Sequence, residues 1–229
     1  MGTQGLPSAV LWDMDGTLVD TEPYWMRAEH ELVAEYGGVW TDEDAASLVG
    51  NALEVSAGMI LQRTGLRLTV SDVVHALLAR VIEQVRVTVP WRPGARELLE
   101  DLGRAGVPSV LVTMSWRSLA DTVVGRLPTG SFRGMVTGDQ VHRGKPDPEA
   151  YLTAARLLDV PPAACVALED SPSGVRSATA AGVPTLAIPH VVPVPQVVGA
   201  VQIPTLAGVG PADLLTLLDG ATPGRTPAR

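Results

Sequence analysis

The sequence predicts an α/β protein: a doubly wound parallel sheet with an all-helical cap inserted into it. Three observations carry this. Short, mainly apolar runs recur, and each stops at a polar residue or proline. Helical patterns fill most of the intervals, and strand alternating with helix builds a parallel sheet. One segment, from about Asp20 to Thr88, breaks that rhythm and contains no convincing strand.

The first run, Ala9-Val10-Leu11-Trp12, ends at Asp13 and reads as a buried strand. Val107 to Val112 ends at Thr113, Cys165 to Leu168 ends at Glu169, and Thr185 to Ile188 ends at Pro189. Gly134 to Thr137 is a weaker fifth strand. A helix is expected from Pro93 to Ala105, with Leu98, Leu99 and Leu102 on one face and Gly106 as its stop. Asp147-Pro148 and Ser171-Pro172 each place a capping residue before a proline, the start signal of a helix, and Gly182 ends the second of these. Within the interrupting segment, Trp25, Ala28, Leu32 and Tyr36 recur at helical spacing and stop at Gly37-Gly38. Val74, Leu77, Leu78, Val81 and Val85 do the same. Trp25, Leu32 and Tyr36 read as cap core. The expected division is a Rossmann-like core of residues 1–20 plus 89–219, a helical cap of residues 21–88 and a disordered tail of residues 220–229.

Composition narrows the partners. With 229 residues, 46% of them hydrophobic and 18% charged, the chain has a globular composition and can bury a substantial core. Seventeen Lys and Arg against 25 Asp and Glu leave a formal charge of −8. That balance disfavours nucleic acid and anionic membranes as partners. Cys165 is the single cysteine and cannot form an intrachain disulfide. Together with the lack of a signal-peptide pattern or a membrane-length apolar run, it leads to a cytoplasmic expectation. Cys165 itself reads as an inert core residue. His30, His75, His142 and His190 show no metal-ligand spacing and receive no role. The sequence does not fix the oligomeric state.

In open α/β sheets, ligands bind at the carboxyl ends of the strands. Here those ends deliver Asp13-Met14-Asp15-Gly16-Thr17, Thr113-Met114-Ser115 and Glu169-Asp170-Ser171, with Lys145 in a loop beside Pro146. Four carboxylates gathered at one edge repel strongly. Two unit charges about 4 Å apart cost roughly 4 kcal/mol at an effective dielectric of 20. One lysine does not offset this. A hard divalent cation with oxygen ligands does, and magnesium is the usual choice where phosphate also binds. Phosphate would then meet Lys145, Thr113 and nearby backbone donors, helped by helix N-termini near Ser115 and Ser171.

Asp13-Met14-Asp15-Gly16-Thr17-Leu18-Val19-Asp20 resembles the first motif of the haloacid dehalogenase (HAD) superfamily. Thr113 resembles the second, Lys145 in Gly144-Lys145-Pro146-Asp147-Pro148 the third, and Glu169-Asp170-Ser171-Pro172-Ser173-Gly174 the fourth. Order and spacing match from Ala9 to about Ile188, with a helical cap between the first two. Asp20-Thr21-Glu22-Pro23 resembles the subgroup of phosphoglycolate phosphatase and β-phosphoglucomutase. Trp12 departs from the family's usual phenylalanine, without evident chemical consequence.

The resemblance implies a magnesium-dependent phosphatase for a small phosphate ester, of the sugar phosphate or phosphoglycolate type. Asp13 would be the nucleophile, forming an aspartyl phosphate, and Asp15 the general acid and base. An acidic residue at Asp15 argues against the dehalogenase branch. Asp13, the backbone carbonyl of Asp15 and Asp170 would hold the metal, with Glu169 assisting from behind or through a water. Thr113, the amide of Met114 and Lys145 would bind the transferring phosphoryl group, under a closed cap.

Other readings are weaker. A calcium loop would need glycine and glutamate where Leu18 and Tyr24 stand. A phosphorylated receiver domain carries its acidic residues before its Thr and Lys, whereas Glu169-Asp170 follows Lys145. A non-catalytic relative conflicts with the intact set of Asp13, Asp15, Thr113, Lys145 and Asp170. A phosphomutase of the same family would need cap residues to grip a second phosphate, for which Arg63 and Arg67 are candidates. Glu22, and Asn51 with its neighbours in Leu48-Val49-Gly50-Asn51, are candidates for substrate contact.

Overall fold

The computed structural model describes residues 5–49 and 51–220. Six parallel strands form one sheet: β1 (Ala9–Trp12), β2 (Ser109–Val112), β3 (Gly134–Val136), β4 (Cys165–Glu169), β5 (Thr185–Ala187) and β6 (Ala200–Gln202). Their order is β3-β2-β1-β4-β5-β6. Trp12 is in register with Leu111 of β2 and Leu168 of β4. The residues just beyond these three therefore emerge side by side. The strand order turns back on itself at β1, the switch point where such sheets open a crevice.

Side chains alternate along β1, as a pleated strand requires. Val10 and Trp12 join one apolar cluster, and Ala9 and Leu11 the other. All four are completely buried. The first face carries α5 (Ala95–Arg104), whose Leu98, Leu99 and Leu102 point inward, and α6 (Arg117–Val124). The second carries α7 (Glu149–Leu157) and α8 (Pro172–Ala180). α8 starts as its sequence predicts, whereas α7 starts one residue later than expected, with Pro148 rather than Asp147 at its cap. Ser171 Oγ accepts from the Gly174 amide, and Asp147 Oδ1 accepts from the Glu149 amide.

Between β1 and α5 lie the four helices of the cap: α1 (Glu22–Glu35), α2 (Asp42–Ala46), α3 (Leu53–Thr64) and α4 (Val70–Val87). Capping boxes start α2 at Thr41 and α4 at Thr69, each paired with an aspartate three residues on. The apolar stripe of α4 is fully used: Val74, Leu77, Leu78, Val81 and Val85 are buried. It packs against α1, α3 and the core helix α6. The two chain crossings into the cap are bonded to each other. Asp20 donates to Pro90 O at 2.7 Å, and Arg92 donates to Leu18 O at 3.0 Å.

Several expectations need correction. β6 falls in a stretch broken by Pro193 and Pro195 and carries no long apolar run. It survives as a short edge strand, paired only with β5. β4 extends one residue further than its apolar run, taking in Glu169. Tyr36 is not cap core: it stands 50% exposed at the end of α1. The expected tail begins within a helix, because Gly220 is the last residue of α9 (Asp213–Gly220); residues 221–229 lie outside the described residues. No helix among the described residues is long and apolar enough to cross a membrane.

Gly94 precedes α5 with φ +79°, and a Cβ there would collide with the backbone of Leu206 and Ala207. Both the conformation and the space demand glycine. Gly94→Ala should therefore cost about 1–3 kcal/mol, read as a lower urea midpoint with an unchanged slope. An unchanged midpoint would mean that the Leu206 loop yields freely.

Candidate active site

Asp13, Thr113 and Asp170 stand at or just beyond the carboxyl ends of the three central strands, and Lys145 reaches them from the loop after β3. The Lys145 ammonium lies 2.6 Å from Asp13 Oδ1 and 2.6 Å from Glu169 Oε1. Its third donor goes to Val112 O at 2.9 Å. Every donor of the ammonium is thus committed, and its side chain is only 4% exposed.

Glu169 is held from all sides. Tyr151 Oη donates to Oε1 at 2.7 Å. The amides of Asp170 and Ser171 and the Ser171 hydroxyl approach Oε2 at 3.2–3.3 Å. These donors belong to the start of α8, so the helix N-terminus receives a carboxylate from its own chain. Gly174 is needed there, because a Cβ would run into the Glu169 carboxylate. Gly16, at φ +89°, likewise gives way to the Asp170 carboxylate.

Asp15 points elsewhere. Its side chain accepts from three hydroxyls: Thr21 at 2.6 Å, Ser115 at 2.8 Å and Thr113 at 3.1 Å. Thr113 Oγ1 in turn accepts from the Ser115 amide at 3.0 Å. The sequence singles out Thr113 among these; Thr21 and Ser115 are identified by the geometry alone. Met114 lines the cavity, and its Sδ accepts from the Lys145 amide at 3.2 Å.

The charge balance is uneven. Asp13, Glu169 and Asp170 offer carboxylate oxygens within 4.8 Å of one another, all buried. Asp13 Oδ2 is buried with no hydrogen-bond partner. Burial pushes the Asp13 carboxyl up to about 8; Lys145 pulls it down, and Glu169 and Asp15 push it further up. Asp170 is driven well above the ordinary carboxylate range, first by burial and then by the charges of Asp13 and Glu169. Lys145 is raised by the same carboxylates despite its burial. One ammonium is too little charge for this cluster. An orphaned carboxylate oxygen beside two more carboxylates is a hard, anionic oxygen donor set, and it fits a divalent cation.

A cavity of about 120 Å³ opens over these groups. Its floor includes Asp13, Asp15, Thr113, Lys145 and Asp170. The cap supplies Glu22, Trp25, Glu29, Asn51 and Ser56, together with Leu48, Val49, Leu53 and Leu77, and the loop after β5 adds His190. Glu22 and Asn51 are expected from the sequence; Gly50 lies outside the described residues. Trp25, assigned to the cap core by its spacing, is a wall of the cavity. Arg63 and Arg67 do not line it. Arg63 binds Asp44 and Ser47 and stacks on Trp40, while Arg67 is exposed.

Comparison with known proteins agrees with this geometry. Residues 10–188 match the family model of the haloacid dehalogenase-like hydrolases. The phosphorylated carbohydrates phosphatase of Thermotoga maritima is 33% identical over 179 residues, covering 76% of this chain and 82% of that protein. Hexitol phosphatase B of Escherichia coli K12 is 30% identical over 187 residues, covering 79% and 83%. The crystal structure of CbbY from Rhodobacter sphaeroides in complex with phosphate superposes with a TM-score of 0.83 at 29% identity, covering 91% of this chain and 99% of that one.

Glu29 provides a test of the cavity's electrostatics. It is 5% exposed, and burial raises its carboxyl from an ordinary 4.5 to about 8, against the pull of the Trp40 hydrogen bond. Between those values the folded protein keeps a proton that the unfolded chain releases, so this group's effect is to lower stability as pH rises from 4.5 to 8. Glu29→Gln keeps an acceptor for Trp40 and removes the titration. Its stability relative to the parent should be greater at pH 8 than at pH 5 by at least about 1 kcal/mol in urea unfolding. A pH-independent difference would mean that Glu29 ionises normally.

Proposed function

The chain belongs to the haloacid dehalogenase-like hydrolases, and from that premise we propose that it is a magnesium-dependent phosphatase of small phosphorylated metabolites. The observation carrying this is the anchored carboxylate of Asp13. Asp13 is fixed through one oxygen by Lys145, while its other oxygen is buried beside the cavity without a protein partner. A carboxylate so held is oriented for attack.

Asp13 forms a bond to phosphorus as the bond to the leaving alcohol breaks, giving an aspartyl phosphate. Asp15, steadied by Thr21, Thr113 and Ser115, gives a proton to the departing oxygen. It then takes one from the water that attacks the aspartyl phosphate, and inorganic phosphate leaves. The amide of Met114 would supply a donor to the phosphoryl oxygens, and Thr113, whose one hydroxyl proton goes to Asp15 at 3.1 Å, would join it only by turning away from that carboxylate. Lys145 restrains Asp13 and offsets its charge. Asp13, the backbone carbonyl of Asp15 and Asp170 would hold magnesium, which supplies positive charge for the phosphoryl group when bound. Glu169 already receives Lys145, Tyr151, Ser171 and two backbone amides. We assign it to fixing Lys145 behind the metal ligands.

The substrate is a small phosphate ester, as it is for relatives named as phosphatases of phosphorylated carbohydrates and hexitols. A phosphomutase gains no support from Arg63 or Arg67, since neither faces the cavity.

Phosphate release from a panel of small esters, with magnesium and with a chelator, tests the reading. Release should require magnesium, and Asp13→Asn should lower turnover on the order of a thousandfold or more while leaving the fold intact. Substantial residual turnover would remove Asp13 as nucleophile. Asp170→Ala should raise the magnesium concentration for half-maximal activity at least about tenfold. An unchanged titration would remove Asp170 as a ligand.

A further inference from the structure

The cap end of the cavity is acidic. Glu22 and Glu29 lie seven residues apart on α1, with Trp25 between them, so the three share one helix face. All three line the cavity. Glu29 accepts Trp40 Nε1 on Oε2 at 3.1 Å, and its other oxygen has no donor among the described residues. Glu22 has neither a hydrogen bond nor an ion pair among the described residues. Burial, with Asp15 and Asp20 adding to it, pushes Glu22 up to about 7. Both carboxyls thus present the cavity with oxygens that no donor among the described residues occupies.

Positive charge is scarce at this end. Lys145 and His190 are the basic residues lining the cavity among the described residues. Lys145 spends its donors on Asp13, Glu169 and Val112. His190 Nε2 lies 2.9 Å from Asp20. Asn51 and Ser56 add neutral polar groups between apolar walls. A second phosphate or a carboxylate on the substrate would face two carboxyls between apolar walls, without a free cation to meet it.

We propose that Glu22 and Glu29 select the leaving alcohol by its hydrogen-bond donors, accepting an uncharged polyhydroxylated or amino-bearing alcohol and rejecting one with a second anionic group. This rests on the phosphatase reading and narrows it, from sugar phosphates or phosphoglycolate to the former.

Glucitol 6-phosphate, glucosamine 6-phosphate and 6-phosphogluconate share a six-carbon skeleton and differ in charge away from the phosphate. Calorimetric binding to the full-length Asp13→Asn protein, with magnesium at pH 8.5, separates recognition from turnover. The first two should bind at least about tenfold more tightly than 6-phosphogluconate. In the Asp13→Asn background, adding Glu22→Gln and Glu29→Gln together should shrink that ratio to within about threefold. If that protein does not fold, Glu22→Gln alone, at a partly exposed site, carries the comparison. Equal binding of 6-phosphogluconate, a ratio unmoved by the substitutions, or no binding of any ester would overturn the inference. If the binding order holds while the Asp13-containing enzyme releases no phosphate from any of the three, the phosphatase reading falls and the selectivity stands.

Discussion

The ammonium of Lys145 sits between Asp13 and Glu169, 2.6 Å from each, in a space nearly closed to water. Burying three charges is costly unless they satisfy one another completely. Here the ammonium meets both carboxylates because the two stand at the ends of β1 and β4, neighbours in register, while Asp13 Oδ2 stays unpartnered. The lysine comes from a third place, the loop after β3. Removing it would leave two buried carboxylates facing each other, so the sheet order and the charge cluster support each other.

That cluster also explains why the surroundings are so constrained. Gly174 and Gly16 have no room for a Cβ, because the carboxylates of Glu169 and Asp170 fill the space. Tyr151, buried under the sheet, gives its hydroxyl to Glu169 and lies beneath the Lys145 ammonium at 5.2 Å from its ring centre. Four carboxyls, Asp13, Asp15, Glu169 and Asp170, stand against one ammonium at the floor, and the cap adds two more carboxyls above them. The cavity is therefore acidic at both ends for different purposes: a cation is needed at one and donors at the other.

Much of this was legible in the sequence, because it depends on local signals. β1 ends where its apolar run ends, and Ser171-Pro172 starts a helix as its chemistry dictates. Asp13, Asp15, Thr113, Lys145 and Asp170 were identifiable because each follows or neighbours a strand and fits a motif. Thr21, Ser115 and Tyr151 were not, since an ordinary hydroxyl acquires meaning only from the carboxylate it meets across the fold. Helical spacing could not distinguish Trp25, on the cavity wall, from Leu32, in the cap core, because both lie on inward-facing parts of α1. Arg63 looked available as a cation, yet Asp44, Ser47 and Trp40 claim it. β6 was hidden because an edge strand beside prolines needs little apolar character.

The position of β1 has a consequence for how the molecule is made. β1 precedes the other described strands in the chain yet is a central one, and Val10 must pair with Ser109 on one side and Val166 on the other. Neither partner exists until the whole cap has been synthesised, and the second comes later still. An apolar strand with both edges open is a hazard for aggregation, and long-range parallel pairing is slow to form. The four cap helices, by contrast, come from one continuous segment and can pack among themselves while β1 waits. Early assembly of the cap would shorten the effective loop joining β1 to β2 and lower the entropic cost of closing it. The insertion that walls the cavity would, during synthesis, also act as a compact spacer that brings the strands together.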